Sequence, residues 1–222
     1  MAGMEMALVI CIDFTASNGS PGNTSSLHYT QRGKSQYEDA LQGVTNIVMD
    51  YDADKLVPTY GFGAKVRMPS FNTGVATHHC FPLNGNTENP NLYQLEGIMN
   101  GYRESMNYLE FSGPTYFAPL LREAMKECED MKREKKEYMI LLILTDGAIH
   151  DTEEVMDLLV KCGRLPLSVI IVGIGNGDWG LMHQLDDDDC QMRDYQGNKT
   201  QRDLVQFVEF AEHKNNGVDL AR

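Results

Sequence analysis

Near the start of the chain three oxygen-bearing side chains follow an apolar run. They are Asp13, Thr15 and Ser17 in Ile10-Cys11-Ile12-Asp13-Phe14-Thr15-Ala16-Ser17-Asn18-Gly19. Carboxylate and hydroxyl oxygens suit hard divalent cations such as Mg²⁺, which keep several of their waters. A continuous apolar run that stops at an aspartate reads as a buried strand giving way to a loop. Two later positions extend the set. Thr115 follows Gly113-Pro114 at the start of a helical pattern, and Asp146 stands in Thr145-Asp146-Gly147 after the most apolar run, 138–144. Ligands of an open α/β sheet bind outside the carboxyl ends of its strands, and these three loops are candidates for that edge. Hydroxyls bound directly, with carboxylates acting through water, leave a cation short of negative charge. Its open position can then take a carboxylate from a partner, which is binding chemistry rather than catalysis.

Each residue also has a plainer role open to it. Thr115 can cap a helix, Ser17 can bond its own loop, and Asp146-Gly147 is a common turn pair. Asp13 is harder to explain away, because an unpaired carboxylate behind a buried strand is costly. Their joint occurrence at predicted strand ends favours the metal site. A competing chemistry is phosphoryl transfer of the haloacid-dehalogenase kind. Asp13 would be its nucleophile, with Asp146 and Asp151 holding Mg²⁺. That pattern wants a second acid where Thr15 stands. An interaction domain with a vestigial metal site is the third possibility. The glycines of Gly173-Ile174-Gly175-Asn176-Gly177 lack the spacing of a dinucleotide loop. Residues 186–189 lack the Gly and terminal Glu of an EF-hand and read as a solvated acidic loop. His78-His79-Cys80 has no second ligand pair nearby and reads as loop or strand edge.

The elements that must position these side chains alternate. Strands are expected over 6–12, 56–62, 138–144 and 167–174, and a last one over 204–208 whose short apolar run also fits a helix. Pro58 places the second strand at an edge or shortens its start. A short neighbour is expected over 65–68 and another over 80–83, inside a long surface loop from 70 to 90. Helices are expected over 35–50, with Tyr37, Leu41, Val44, Ile47 and Val48 on one stripe, and over 95–108, 116–133, 152–162 and 181–185. Pro119 is tolerable in a first helical turn. Residues 18–32 and 175–180 read as loop and turn. This alternation predicts an α/β fold, a doubly wound and mostly parallel central sheet with helices on both faces. With no repeat and no linker, residues 1–222 form one domain.

The net charge of −13 argues against a nucleic-acid surface and against electrostatic docking to an anionic membrane. The five cysteines (Cys11, Cys80, Cys128, Cys162, Cys190) are odd in number and form no Cys-x-x-Cys pair. Reduced thiols in an intracellular compartment are the expectation. The first residues lack the pattern of a signal peptide, and the apolar runs are too short to span a bilayer.

Asp13-x-Thr15-x-Ser17, a loop Thr115 and Thr145-Asp146-Gly147 together resemble the metal-ion-dependent adhesion site of von Willebrand factor type A domains. The closer similarity is to the copine A domain. It is carried further by Leu27-His28-Tyr29, the runs 50–56 and 60–64, Gly113-Pro114-Thr115-Tyr116-Phe117-Ala118-Pro119, the run 167–173 and Asp203-Leu204-Val205-Gln206-Phe207-Val208. The resemblance extends from about Leu8 to Phe210. It implies a non-enzymatic, protein-binding domain of a calcium-dependent phospholipid-binding family. Asp13, Thr15, Ser17, Thr115 and Asp146 would hold a divalent cation, Mg²⁺ or Mn²⁺ first and Ca²⁺ second, and the partner would be a protein offering an acidic side chain. It also implies two lipid-binding domains that precede this one in full-length relatives and are absent from these 222 residues, and a further helix after Arg222. Any membrane recruitment of a cytoplasmic full-length protein would then come through those absent domains.

Overall fold

The computed structural model describes residues 5–30, 33–48, 51–52, 54–131, 137–186 and 192–212. Its centre is a sheet built on β1 (Met6–Asp13), β2 (Leu56–Phe62), β7 (Tyr138–Thr145), β8 (Leu167–Gly173) and β9 (Val205–Glu209). Short strands β4 (Phe81–Pro82) and β5 (Asn91–Tyr93) both pair with β2, giving the order β4-β2-β1-β7-β8-β9 with β5 off that path. β2, β1, β7, β8 and β9 run parallel, while β4 and β5 are antiparallel to β2. A second, two-stranded sheet joins β3 (Ala64–Val66) to β6 (Leu109–Phe111).

Side chains of β1 alternate between two cores. Ala7, Val9 and Cys11 pack on one face with α3 (Ala118–Met131), α4 (Thr152–Cys162) and α5 (Gly180–Leu185). Leu8, Ile10 and Ile12 pack on the other with α1 (Gln36–Val48) and α2 (Gln94–Ser105). This two-sided burial explains the unbroken apolar sequence of β1 and β7. Each Leu, Ile or Phe so buried contributes roughly 1.5–3 kcal/mol. The doubly wound, mostly parallel α/β fold expected from the sequence is the one observed.

Several boundaries differ from expectation, each for a local reason. Pro58 does not put β2 at an edge, since β2 lies between β1 and the short antiparallel strands. The parallel ladder with β1 begins only at Thr59, so the missing amide of Pro58 falls outside it. β5, between the loop expected over 70–90 and the helix expected from 95, is three residues long and is specified by its pairing with β2. α2 ends at Ser105 rather than 108, because residues 106–108 turn the chain into β6 against β3. α3 begins at Ala118 rather than 116, and the Phe117 carbonyl accepts its first amides from Leu120 and Leu121 at 3.0 Å. The ambiguous run after 204 is a strand paired with β8. A reciprocal capping box opens α1. Glu38 N donates to Ser35 Oγ at 3.1 Å and Ser35 N donates to Glu38 Oε2 at 2.7 Å. The side chains of Ile47 and Val48, residues 187–189 and Cys190 lie outside the described residues; the other four cysteines are free thiols. Among the described residues no helix is long and apolar enough to cross a membrane.

Candidate metal centre

β1 and β7 lie side by side, with Ile12 opposite Leu144. From β1 the sheet is built outward both ways, through β2 on one side and through β7 and β8 on the other. Their carboxyl ends therefore open at the switch point where α/β sheets bind ligands. Asp13 and Asp146 leave these neighbouring strand ends. Asp13 is fully buried, at 0% exposure. Its Oδ1 accepts the Thr15 amide at 2.8 Å and the Thr15 hydroxyl at 2.6 Å, and its Oδ2 accepts the Thr145 hydroxyl at 2.7 Å. Thr15 Oγ1 lies 2.9 Å from Ser17 Oγ, which in turn lies 2.9 Å from Asp146 Oδ1. Asp13, Thr15, Ser17 and Asp146 thus form one continuous string of oxygens. Ser17 bonds along this string rather than to its own loop backbone.

Three oxygen–oxygen contacts (Asp13–Thr15, Thr15–Ser17, Ser17–Asp146) need three hydrogens, and the two hydroxyls supply only two. With both carboxylates ionised the string is one hydrogen short and carries two negative charges. The electrostatics agree. Burial pushes the Asp13 carboxyl above its ordinary value, against the hydrogen bonds from Thr15 and Thr145 that hold it down. Burial and then the charge of Asp13 push Asp146 up to about 7. Like charges at one site cannot both ionise cheaply, so the pair calls for a proton or a cation. Every donor atom is oxygen, which fits a hard divalent ion. Among the described residues no group of three or more His, Cys, Asp or Glu side chains is placed to hold a metal. A cation here would therefore rest on two carboxylates and the hydroxyls around them.

Thr115 sits in the adjoining loop. That loop is tied to the first by Ala16 N donating to Ser112 O at 2.6 Å and by a parallel bridge between Thr15 and Ser112. On its other side His150 N donates to Thr115 O at 2.9 Å, and Thr115 N donates to His150 Nδ1 at 3.3 Å. Thr115 is buried, with 5% exposed. Its hydroxyl does not join the oxygen string among the described residues, nor does it cap α3. The amides at that helix start, those of Phe117 and Ala118, donate to Asp151 Oδ1 and Oδ2 at 3.1 and 2.8 Å.

Several supporting residues, some of them within stretches that carry the family resemblance, have no role assigned from the sequence. Asn18 donates to Thr15 O at 3.2 Å and Thr15 Oγ1 at 3.3 Å, and accepts the Tyr37 hydroxyl at 2.7 Å. His28, buried at 1% exposure, stacks on Tyr37 with ring centroids 4.0 Å apart. Its Nε2 lies 2.9 Å from the Asp13 carbonyl and its Nδ1 lies 2.7 Å from the Tyr102 hydroxyl. The carbonyl can only accept, so Nε2 carries the proton and Nδ1 accepts from Tyr102. Burial holds this imidazole neutral, lowering its pKa to about 3. Gly63, at φ +78°, lets the chain pass Thr15, since a Cβ there would lie 2.2 Å from Thr15 Cγ2. His78 pairs with Ala64 at the edge of β3, as a strand-edge residue should.

Residues 26–221 match the family model described as Copine. The chain belongs to the copine family. It is 38% identical over 223 residues to Copine-A of Dictyostelium discoideum, a match that covers 100% of this chain and 36% of that protein. The copine domain thus spans about a third of that relative's length. Solved structures share its fold. The SpRpn10 VWA domain has a TM-score of 0.58 at 11% identity, covering 96% of this chain and 95% of that one. Manganese-loaded Plasmodium vivax TRAP protein has a TM-score of 0.51 at 14% identity, covering 94% and 70%. Proximal thread matrix protein 1 from the mussel byssus, with a zinc-occupied MIDAS motif, has a TM-score of 0.50 at 17% identity, covering 96% and 46%.

Proposed function

We propose that this copine domain holds a divalent cation, Mg²⁺ or Mn²⁺, at Asp13, Thr15, Ser17, Thr115 and Asp146, and there binds an acidic side chain of a protein partner. The observation that carries the reading is the oxygen string at the β1–β7 crevice, which joins two carboxylates and is one hydrogen short. Bound there, the cation would supply the Lewis-acid attraction that holds the partner's carboxylate. The chain's own residues do the rest. Asp13 orients Thr15 and Thr145 from below, and Ser17 and Asp146 form the solvent-facing side of the set. Metal-loaded relatives of the same fold, one with manganese and one with zinc, add support for a divalent ion.

We read the domain as an interaction module rather than an enzyme. A nucleophilic Asp13 would need a free oxygen facing substrate. Both of its oxygens are instead engaged by buried donors, and the residue has 0% exposure. We propose a cytoplasmic full-length protein, with membrane recruitment left to domains outside this chain; the four free cysteines among the described residues suit a reducing compartment.

Thermal unfolding with and without Mg²⁺ or Mn²⁺ tests the site. Binding to the native state should raise the melting temperature, while Thr115→Ala and Asp146→Ala should remove the rise and leave the fold intact. An unchanged metal response in both variants would sink the assignment. Partner capture that survives chelation would show binding without the cation.

A further inference from the structure

Asp151 occupies the N-cap position of α4, where an aspartate ordinarily bonds the amides of its own helix. It makes no such bond. Its carboxylate reaches across to α3 instead and takes the Phe117 amide at 3.1 Å and the Ala118 amide at 2.8 Å. The rest of that helix start is already provided for. Pro119 has no amide, and Leu120 and Leu121 both donate to the Phe117 carbonyl. Asp151 therefore satisfies the donors that α3 leaves over, while the positive ends of α3 and α4 meet on one negative charge.

The residue before Asp151 completes the clamp. His150 donates its amide to the Thr115 carbonyl and accepts the Thr115 amide on Nδ1, at 2.9 and 3.3 Å. Thr115 and Phe117, two residues apart, are thus held from the β7–α4 loop, which also carries Asp146. Along the chain Thr115 sits in residues 113–117, between the Ser112 bridge and α3, and that stretch contains no regular structure.

We propose that Asp151 is a positioning residue for Thr115. By fixing the start of α3 to the loop that bears Asp146, it holds Thr115 in the loop beside the oxygen string, so the affinity of the site for a divalent cation depends on Asp151 although Asp151 does not touch the ion. This rests on the metal reading given above. Partners of metal ligands at one remove typically contribute roughly 10–100-fold in affinity.

A double-mutant cycle on Mn²⁺ affinity, measured with the metal alone, tests it. Asp151→Ala should weaken Mn²⁺ binding about tenfold or more in the wild-type background. In the Thr115→Ala background it should change binding by less than about twofold, because the residue it positions is gone. Asp151→Ser gives a second arm. It gives α4 a side-chain cap that Asp151 does not supply, without reaching α3, so it should recover melting temperature in chelator relative to Asp151→Ala but not Mn²⁺ affinity. Exchange of the Phe117 and Ala118 amides in chelator should quicken in both Asp151 variants. An equal loss in both backgrounds would overturn the proposal, since a structural role alone lowers stability without coupling to Thr115. So would full Mn²⁺ affinity in Asp151→Ala. If Thr115→Ala itself binds Mn²⁺ like the wild type, the metal reading falls first, and the positioning role falls with it.

Discussion

Asp13 combines two roles that substitution can separate. As an acceptor it takes two hydrogen bonds from Thr15 and one from Thr145, all buried. As a charge it raises Asp146 and makes the pair attractive to a cation. Asp13→Ala removes both. The Thr15 amide and the Thr145 hydroxyl lose their buried acceptor, at about 1–3 kcal/mol each. Relief of the buried charge returns part of that, leaving a net loss of about 2–4 kcal/mol. For a domain of this size each kcal/mol lowers the melting temperature by about 2–4 °C, so a drop on the order of 10 °C in chelator is expected. Asp13→Asn keeps Oδ1 as acceptor for Thr15 and offers an amide to Thr145 Oγ1, which turns to accept. It should stay within about 1 kcal/mol of the wild type in chelator. Neither variant should respond to Mg²⁺, whereas the wild type should gain about 2.7 kcal/mol when the ion stands 100-fold above its dissociation constant. Urea unfolding in chelator and in Mg²⁺ gives all the required free energies. If Asp13→Ala is as stable as Asp13→Asn in chelator, the hydrogen bonds assigned to the carboxylate do not hold the loop. If Asp13→Asn keeps the metal-induced gain, its charge is not what attracts the ion.

His28 should make stability depend on acid. Its folded-state pKa is depressed to about 3 while the unfolded chain takes up the proton near 6.5. Stability is then complete above pH 6.5 and is lost as pH falls toward 3, with about 2 kcal/mol gone by pH 5. The raised carboxyls of Asp13 and Asp146 act with the opposite sign, losing stability as pH rises from the ordinary carboxylate range. The difference between wild type and His28→Gln isolates the imidazole, and unfolding free energies that run parallel from pH 8 to pH 5 would refute its role. Gly61 in β2 has no room for a side chain, because a Cβ would lie 2.5 Å from the Phe81 ring and 2.9 Å from that of Phe14. Gly61→Ala should lower stability by about 1–3 kcal/mol with the metal response retained; a neutral result in urea unfolding would mean that the rings yield freely.

What could be seen in the sequence, and what could not, divides along physical lines. β1 and β7 were legible because burial on both faces leaves an unbroken apolar run, and the aspartates that end those runs marked the sheet's carboxyl edge. β5 and β6 were not, since three residues cannot display an alternation and their partners set their register. The capping box Ser35-x-x-Glu38 is a local signal that was there to be used. His28 is different. Its hydroxyl partner lies 74 positions away on α2, so nothing beside it in the chain announces a buried, neutral imidazole beneath Asp13. Asp151 illustrates the same limit from the other direction: local rules assign its carboxylate to α4, and only the packing of α4 beside α3 gives it other amides to satisfy.

The bond from Thr145 to Asp13 joins residues 132 positions apart. Neither the first half of the chain nor the second therefore owns the two carboxylates, which exist as a pair only once β7 has docked beside β1. A growing or partly unfolded copine domain carries every residue of the set and none of its geometry. Ligation at this crevice would consequently act as a readout of folding. Partners that depend on it would be reserved for molecules whose central sheet is complete, and a fragment ending before β7 would be inert toward them.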